Sequence, residues 1–230
     1  MSIRASLDLV RKRIIQTCLK IGRSPEEVQL IAVTKTVGVD RVIEAVEEGI
    51  KIAGENKIQE ALPKMEELEK KGYSLEWHFI GKLQRNKARF AVGRFSLIHS
   101  VDSVGLAEEI SRQAEKKGVL QSILMEVNLS GEISKEGFSP EEALRAVERM
   151  SQLKWLKVTG LMTIPPFSLN PEGSRLFFKS LKTLGKQMAG RLERPFEVYS
   201  MGMSNDFEVA IEEGATHVRI GRALFGEREP

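Results

Sequence analysis

From Gln29 onward the chain repeats one rhythm eight times: a short run of β-branched and apolar residues, then a longer segment with apolar residues at helical spacing. The strand-like runs are 29–35, 51–54, 76–80, 97–101, 122–128, 158–163, 197–200 and 217–220. Helical patterns fill 39–49, 56–71, 84–92, 103–117, 139–152, 173–190 and 205–213, and a last short one starts near Gly221. Strict alternation implies parallel strands joined by right-handed crossovers. Eight such units in 230 residues fit a closed α/β architecture, the (β/α)8 TIM barrel. The rival is an open doubly wound sheet. That fold carries a glycine-rich fingerprint after its first strand, and Thr34-Lys35-Thr36 is not one. Ahead of the barrel, Leu7, Val10, Ile14, Ile15 and Cys18 recur at helical spacing within 5–21. Ser24-Pro25-Glu26-Glu27 then reads as an N-cap, a first-turn proline and two acids matched to a helix dipole. The expected organisation is one domain over 1–230, with 1–27 as an extra N-terminal helical extension.

Several function classes are disfavoured at once. No run of 18 apolar residues is present, so no membrane-spanning helix is expected. Charges at Arg4, Asp8, Arg11, Lys12 and Arg13 break up the N-terminal 15 residues, unlike a secretory signal. One cysteine, Cys18, excludes an intramolecular disulfide and fits a reducing cytoplasm. The 35 basic and 32 acidic residues are interspersed and leave a net charge of only +3, without the basic stripe that nucleic-acid binding demands. No metal-ligand pattern stands out.

In such a barrel the chemistry sits at the C-terminal ends of the strands. Lys35 closes the apolar run Leu30-Ile31-Ala32-Val33. Taken alone it reads first as a snorkelling surface lysine; at a barrel mouth its amine would instead be partly desolvated and nucleophilic toward an aldehyde. Ser204 is expected to N-cap the helix 205–213, and Gly221-Arg222 opens the last helix. Two adjacent helix N-termini after strands seven and eight suit a phosphate, although capping and tight turns account for the same residues. Arg219 lies in an otherwise apolar strand, where it either pairs with a carboxylate or donates to a heterocycle nitrogen.

The constellation resembles a known family. Ile31-Ala32-Val33-Thr34-Lys35-Thr36, Gly54-Glu55-Asn56 with Gln59-Glu60, and His78-Phe79-Ile80-Gly81 followed by Leu83-Gln84 and Asn86-Lys87 are similar to motifs of the pyridoxal phosphate homeostasis proteins. So are Ser200-Met201-Gly202-Met203-Ser204 with Asp206-Phe207, and Arg219-Ile220-Gly221-Arg222 with Phe225-Gly226. These motifs run in order from residue 31 to residue 226. The resemblance implies an alanine-racemase-like barrel with pyridoxal 5′-phosphate (PLP) as cofactor, held as an internal aldimine on Lys35. It implies that Ser200, Ser204, Gly221 and Arg222 surround the phosphate, partly through backbone N–H groups. Arg219 would face the pyridine nitrogen, and Asn56, His78 and Met162 would line the ring pocket. Many members carry threonine in place of Arg222, so a backbone contact is expected there. Lys135, in the loop 131–138, resembles a basic position of the family, read either as a second amine for the aldehyde or as a solvated loop lysine.

Two activities remain to be separated: a carrier that buffers PLP, with PLP-dependent enzymes as clients, and a racemase-like PLP enzyme with weak activity. A guanidinium against the pyridine nitrogen leaves the ring unprotonated and a poor electron sink. Alanine racemases offset this with a tyrosine base from an extra C-terminal β domain of the partner subunit. This sequence stops at Pro230, just after its eighth unit, and neither Tyr73 nor Tyr199 is expected to replace that base. The expectation is therefore a cytoplasmic, monomeric carrier without catalytic residues. A nucleic-acid-binding or purely structural barrel would leave Lys35, Ser204 and Arg219 unexplained.

Overall fold

The computed structural model describes residues 2–132 and 135–227. Eight parallel strands close into a barrel in sequence order: β1 (Gln29–Val33), β2 (Ile52–Glu55), β3 (Glu76–Phe79), β4 (Leu97–Val101), β5 (Gln121–Glu126), β6 (Leu156–Met162), β7 (Val198–Met203) and β8 (His217–Ile220). The ring shuts where β1 pairs with β8, with Ile31 opposite Arg219. The helices are α1 (Ile3–Lys20), α2 (Val39–Glu47), α3 (Ile58–Lys70), α4 (Ala88–Ala91), α5 (Val104–Lys117), α6 (Pro140–Ser151), α7 (Arg175–Leu192), α8 (Phe207–Glu212) and α9 (Arg222–Phe225).

Alternation along each strand splits the core in two. Outward residues such as Ala32, Ala53, Phe79, Ile98, Ile123, Leu161, Met201, Val218 and Ile220 belong to one continuous apolar layer under the helices. Leu97, Leu124 and Met162 form a separate small cluster, against which Val198 packs, inside the barrel. α1 buries Ile3, Leu7, Val10, Ile14 and Cys18, whereas Ile15 stays 44% exposed, one residue off that stripe. Ser24 caps the 3-10 turn Pro25–Glu27 through a complete capping box.

The rhythm read from the sequence matches the fold, and the differences lie at element ends. β1 stops at Val33, short of Lys35, because a turn closes there with Val37 N–H donating to Thr34 O at 3.0 Å. β7 runs on to Met203, with its pairing to β8 shifted between Ser200 and Met203. The segment 84–92 divides into a 3-10 turn, Arg85–Lys87, and the short α4.

Barrel closure depends on close backbone approach at Gly160, where a Cβ would sit 1.8 Å from Val198 O. Gly160→Ala therefore forces β6 and β7 apart and is expected to cost about 2–3 kcal/mol in chemical denaturation. Gly190, exposed in α7 with open space around it, serves as the control: Gly190→Ala is expected to stabilise by about 0.5–1 kcal/mol. Equal effects at the two sites would contradict the assignment of Gly160 to a steric contact.

Candidate functional site

Lys35 is presented by a strained turn. Thr36, the third residue of the turn from Thr34 to Val37, has φ 62°, a left-handed conformation that costs a β-branched residue on the order of 1–2 kcal/mol. The turn is bolted down from beneath. Lys64, on the apolar face of α3 beside Ala61, Met65 and Leu68, donates to Thr34 O at 2.7 Å and to Glu55 Oε1 at 2.5 Å. Thr34 Oγ1 donates to the same carboxylate oxygen at 2.7 Å. Glu55 is fully buried, and its Oε2 has no hydrogen-bond partner. A buried pair of this kind contributes little net stability but fixes geometry, because loss of either partner strands a charge. Here it fixes the backbone one residue before Lys35. A lysine on the apolar stripe of α3 was the signal in the sequence, and it carried no role in the sequence reading.

Lys35 is half-buried and lines a cavity of about 280 Å³ at the C-terminal rim, together with Val33, Ser204, Arg219, Gly221 and Arg222. The loop after β6, from Ile164 to Ser168, forms its outer wall. A second lobe of about 330 Å³ shares Lys35, Gly221 and Arg222 and adds Arg41 and Phe225. Ser204 does not cap α8 as expected. The N-cap of α8 is Asp206, whose Oδ1 accepts from Met203 N–H at 2.7 Å and whose Oδ2 accepts from Ser174 Oγ at 2.8 Å. Extension of β7 to Met203 carries Ser204 past the helix start. Its Oγ instead accepts the Ala223 N–H at 3.2 Å, in the first turn of α9.

Arg219 is 4% exposed. Its Nη1 donates to Ser200 Oγ at 2.6 Å and its Nη2 to Thr163 O at 3.0 Å. Burial lowers its pKa to about 10, opposed by Glu126 and Asp206, so it remains a cation at neutral pH. Ser200, expected around the phosphate, is fully buried in the lumen, where its hydroxyl is engaged by Arg219 and by His99 at 2.9 Å. His78, also buried, meets His99 at 3.0 Å. Five of the nine expected residues thus wall the cavity. Ser200 and His78 lie behind Arg219, Met162 lies in the small lumen cluster, and Asn56 packs under Gly81, where a Cβ would come within 2.2 Å of Asn56 O. Asn56 Oδ1 is buried without a partner. His99 and Thr163 carried no site role in the sequence reading; which lumen side chains meet depends on the stagger of the closed barrel. Among the described residues, no group of three or more His, Cys, Asp or Glu side chains is arranged to hold a metal ion.

A neighbouring cavity of about 270 Å³ is lined by Ile80, Lys82, Glu126, Asn128 and Lys135, among others. Asn128 folds the loop beyond β5 onto itself by donating to Glu132 O and Lys135 O, and Lys135 pairs with Glu132 at 3.1 Å. Ile133 and Ser134 of the loop lie outside the described residues. Burial, with a smaller push from Asp102, raises the Glu126 carboxyl to about 7. The folded state therefore holds a proton there that the unfolded chain releases near the ordinary 4.5. Stability from this group is complete below 4.5 and is lost as pH rises through about 7. Glu126→Gln, with no charge to bury, should gain thermal stability relative to the unsubstituted protein between about pH 5 and about pH 8. A melting-temperature difference that is the same at both pH values would show that the carboxyl is not held up.

The family "Alanine racemase, N-terminal domain" matches residues 12–229. The pyridoxal phosphate homeostasis protein of Aquifex aeolicus is 45% identical over 223 residues, covering 97% of each chain. That of Synechocystis is 40% identical over 208 residues, 90% of this chain and 95% of the other. Among solved structures, PipY of Synechococcus elongatus with PLP bound superposes with a TM-score of 0.86 at 35% identity, covering 98% of this chain and all of that one. An alanine racemase of Clostridium difficile has the same fold at 18% identity and a TM-score of 0.71, and this chain spans 57% of its length. With near full-length identity of this order on top of the barrel and its rim, the chain belongs to the pyridoxal phosphate homeostasis protein family.

Proposed function

We propose that the protein is a carrier for PLP, bound covalently by Lys35, anchored at the phosphate by Ser204, Gly221 and Arg222, and met at the pyridine nitrogen by Arg219. The convergence of these five residues on one cavity carries the reading; the relative solved with PLP bound supports it. The donor set fits the ligand: an amine for an aldehyde, a hydroxyl and a helix start for a phosphate, a guanidinium for a ring nitrogen. When bound, the cofactor supplies an aldehyde to condense with an amine and a ring to draw electrons from it.

Each residue has a separate task. Lys35 offers its amine from a turn held rigid by Glu55 and Lys64. Ser204 Oγ already accepts from Ala223 N–H, which leaves its own hydrogen to donate to an anion at the start of α9. Arg219 keeps its proton at neutral pH and presents only donors. Arg219 would donate to a ring nitrogen facing it and leave that nitrogen unprotonated, which suits holding the cofactor more than driving carbanion chemistry.

Among the described residues, the wall of this cavity carries no side chain placed as a second base, and Glu227 lines only the adjoining lobe. The titratable side chains of the wall are Lys35, Asp206, Arg219 and Arg222, and the Asp206 carboxylate is committed to Ser174 and Met203. Tyr73 donates to Glu47 at 2.6 Å on the surface. Tyr199 faces outward, beneath Lys182 at 3.6 Å. A carrier fits this wall better than a racemase. On the same reading the protein is a monomer of a reducing cytoplasm that hands PLP to dependent enzymes. Among the described residues, no helix is long and apolar enough to cross a membrane.

Lys35→Ala should abolish the borohydride-fixed pyridoxyl adduct seen by peptide mass spectrometry and retain weaker, phosphate-anchored binding. An adduct that still forms at this site in the substituted protein would remove Lys35 from its role. Ser204→Ala should weaken PLP binding by about 1–2 kcal/mol in equilibrium dialysis, the scale of one charge-assisted hydrogen bond. Unchanged affinity would take the hydroxyl out of the phosphate site.

A further inference from the structure

The three histidines of the chain, His78, His99 and His217, all lie inside the barrel, where aliphatic layers are the usual filling. Two of them continue the hydrogen bonds of Arg219 across the lumen. Arg219 Nη1 meets Ser200 Oγ at 2.6 Å, Ser200 Oγ meets His99 Nδ1 at 2.9 Å, His99 Nε2 meets His78 Nδ1 at 3.0 Å, and His78 Nε2 meets Glu76 Oε1 at 2.9 Å. The chain passes from β8 to β7, crosses to β4 and ends at the start of β3, at the end of the barrel opposite the Lys35 cavity.

With one proton on each imidazole, the direction of every bond follows from the carboxylate end. A guanidinium only donates, so Ser200 Oγ accepts from Arg219, and its own hydrogen is left for His99 Nδ1. His99 is fully buried, and burial, reinforced by His78, Arg219 and His217, holds its pKa well below the ordinary imidazole value. It is therefore neutral, with its proton on Nε2, and donates to His78 Nδ1. His78 in turn carries a proton on Nε2 and donates to Glu76. The Glu76 carboxyl is lowered to about 2, first by this bond, and it also accepts from Ser96 Oγ at 2.9 Å, so it only accepts. His217 stacks on His78 at 5.9 Å and meets His99 edge-on at 6.5 Å. It is neutral too, lowered to about 4 chiefly by burial. With one proton on each imidazole, an unbroken chain that ends on an acceptor-only carboxylate has a single proton arrangement.

We propose that Ser200, His99 and His78 are positioning residues for Arg219, a one-way relay of hydrogen bonds, terminated by Glu76, that orients the guanidinium at the base of the Lys35 cavity. The relay uses one guanidinium donor and Thr163 O takes another, so the plane of the group is fixed while its remaining donors stay available. Stability alone does not call for this arrangement, since buried polar chains are often replaced by apolar packing at no loss. The relay rests on the reading of Arg219 as the group that meets the pyridine nitrogen, and its own geometry can be tested without cofactor.

The test uses the full chain labelled with 15N at histidine, then the same protein loaded with PLP labelled at the pyridine nitrogen. In the unloaded protein His99 should be neutral with its proton on Nε2 at neutral pH, and His78 should carry a proton on Nε2. Ser200→Ala should alter the His99 signals. A His99 proton on Nδ1, or a charged His99, overturns the relay. In the loaded protein, Ser200→Ala and His99→Leu should shift the pyridine 15N resonance and weaken PLP binding about three- to tenfold, with the adduct on Lys35 still trapped by borohydride. His99→Gln, which has both an acceptor and a donor, should restore much of the shift. A pyridine signal unmoved in Ser200→Ala and His99→Leu, with Lys35 still trapped, overturns the positioning role alone. Absence of any trapped adduct in the unsubstituted protein overturns the site reading, and the positioning role with it.

Discussion

A guanidinium inside a barrel of parallel strands has no water to satisfy it, so its partners must come from the walls. Arg219 finds a carbonyl one residue past the end of β6 and a hydroxyl on β7. Both are in reach because the neighbouring strands leave their regular pairing there: β6 ends at Met162, and the register of β7 on β8 shifts beyond Ser200. The irregularity places a cation at the base of the cavity and turns Met203 and Ser204 out to the rim. With Arg219 replaced by an aliphatic residue, Ser200 and the Thr163 carbonyl would lose their partner, and the barrel would have no reason to be polar at this depth.

Around that cation the molecule divides its labour. The lumen sets the charge at one end of the cavity, β1 and α3 aim Lys35 from the side, and α9 with Ser204 shapes the far end. The N-terminal helix is tied to this last part. Arg13 of α1 pairs with Glu208 of α8 at 2.6 Å, Lys20 with Glu212 at 2.8 Å, and Arg23 donates to Ala215 O at 2.6 Å. The segment ahead of the barrel thus braces α8, the helix beside the rim residues, while its buried face completes the outer apolar layer. Exposed ion pairs of this kind add little stability singly; their effect here is to fix where α8 sits.

The barrel was legible because alternation of strand and helix is a periodic signal, and β4 and β8 begin and end where the pattern says. The rim residues were legible because strand ends in this architecture point to one face. Ends set by turn geometry were not: the strained turn at Thr36 cuts β1 short of Lys35, and the extension of β7 moves the cap of α8 from Ser204 to Asp206. The lumen was the least legible part. Alternation predicts that His78, His99, Ser200 and Arg219 face inward, but residues on β8, β7, β4 and β3 meet only through the tilt and stagger of the closed barrel. No local pattern encodes that stagger. The same holds for Lys64, whose carboxylate partner Glu55 lies on the preceding strand, at the far side of the helix start.

The proposed hold on PLP by its three distinct ends within one cavity is tested most directly by a crystal structure of the protein grown with PLP. The expected density is continuous with Lys35 Nζ, with the ring nitrogen against Arg219 and the phosphate between Ser204 and the first turn of α9. A ligand seated in the lobe lined by Arg41 and Phe225, with Arg219 untouched, would contradict it.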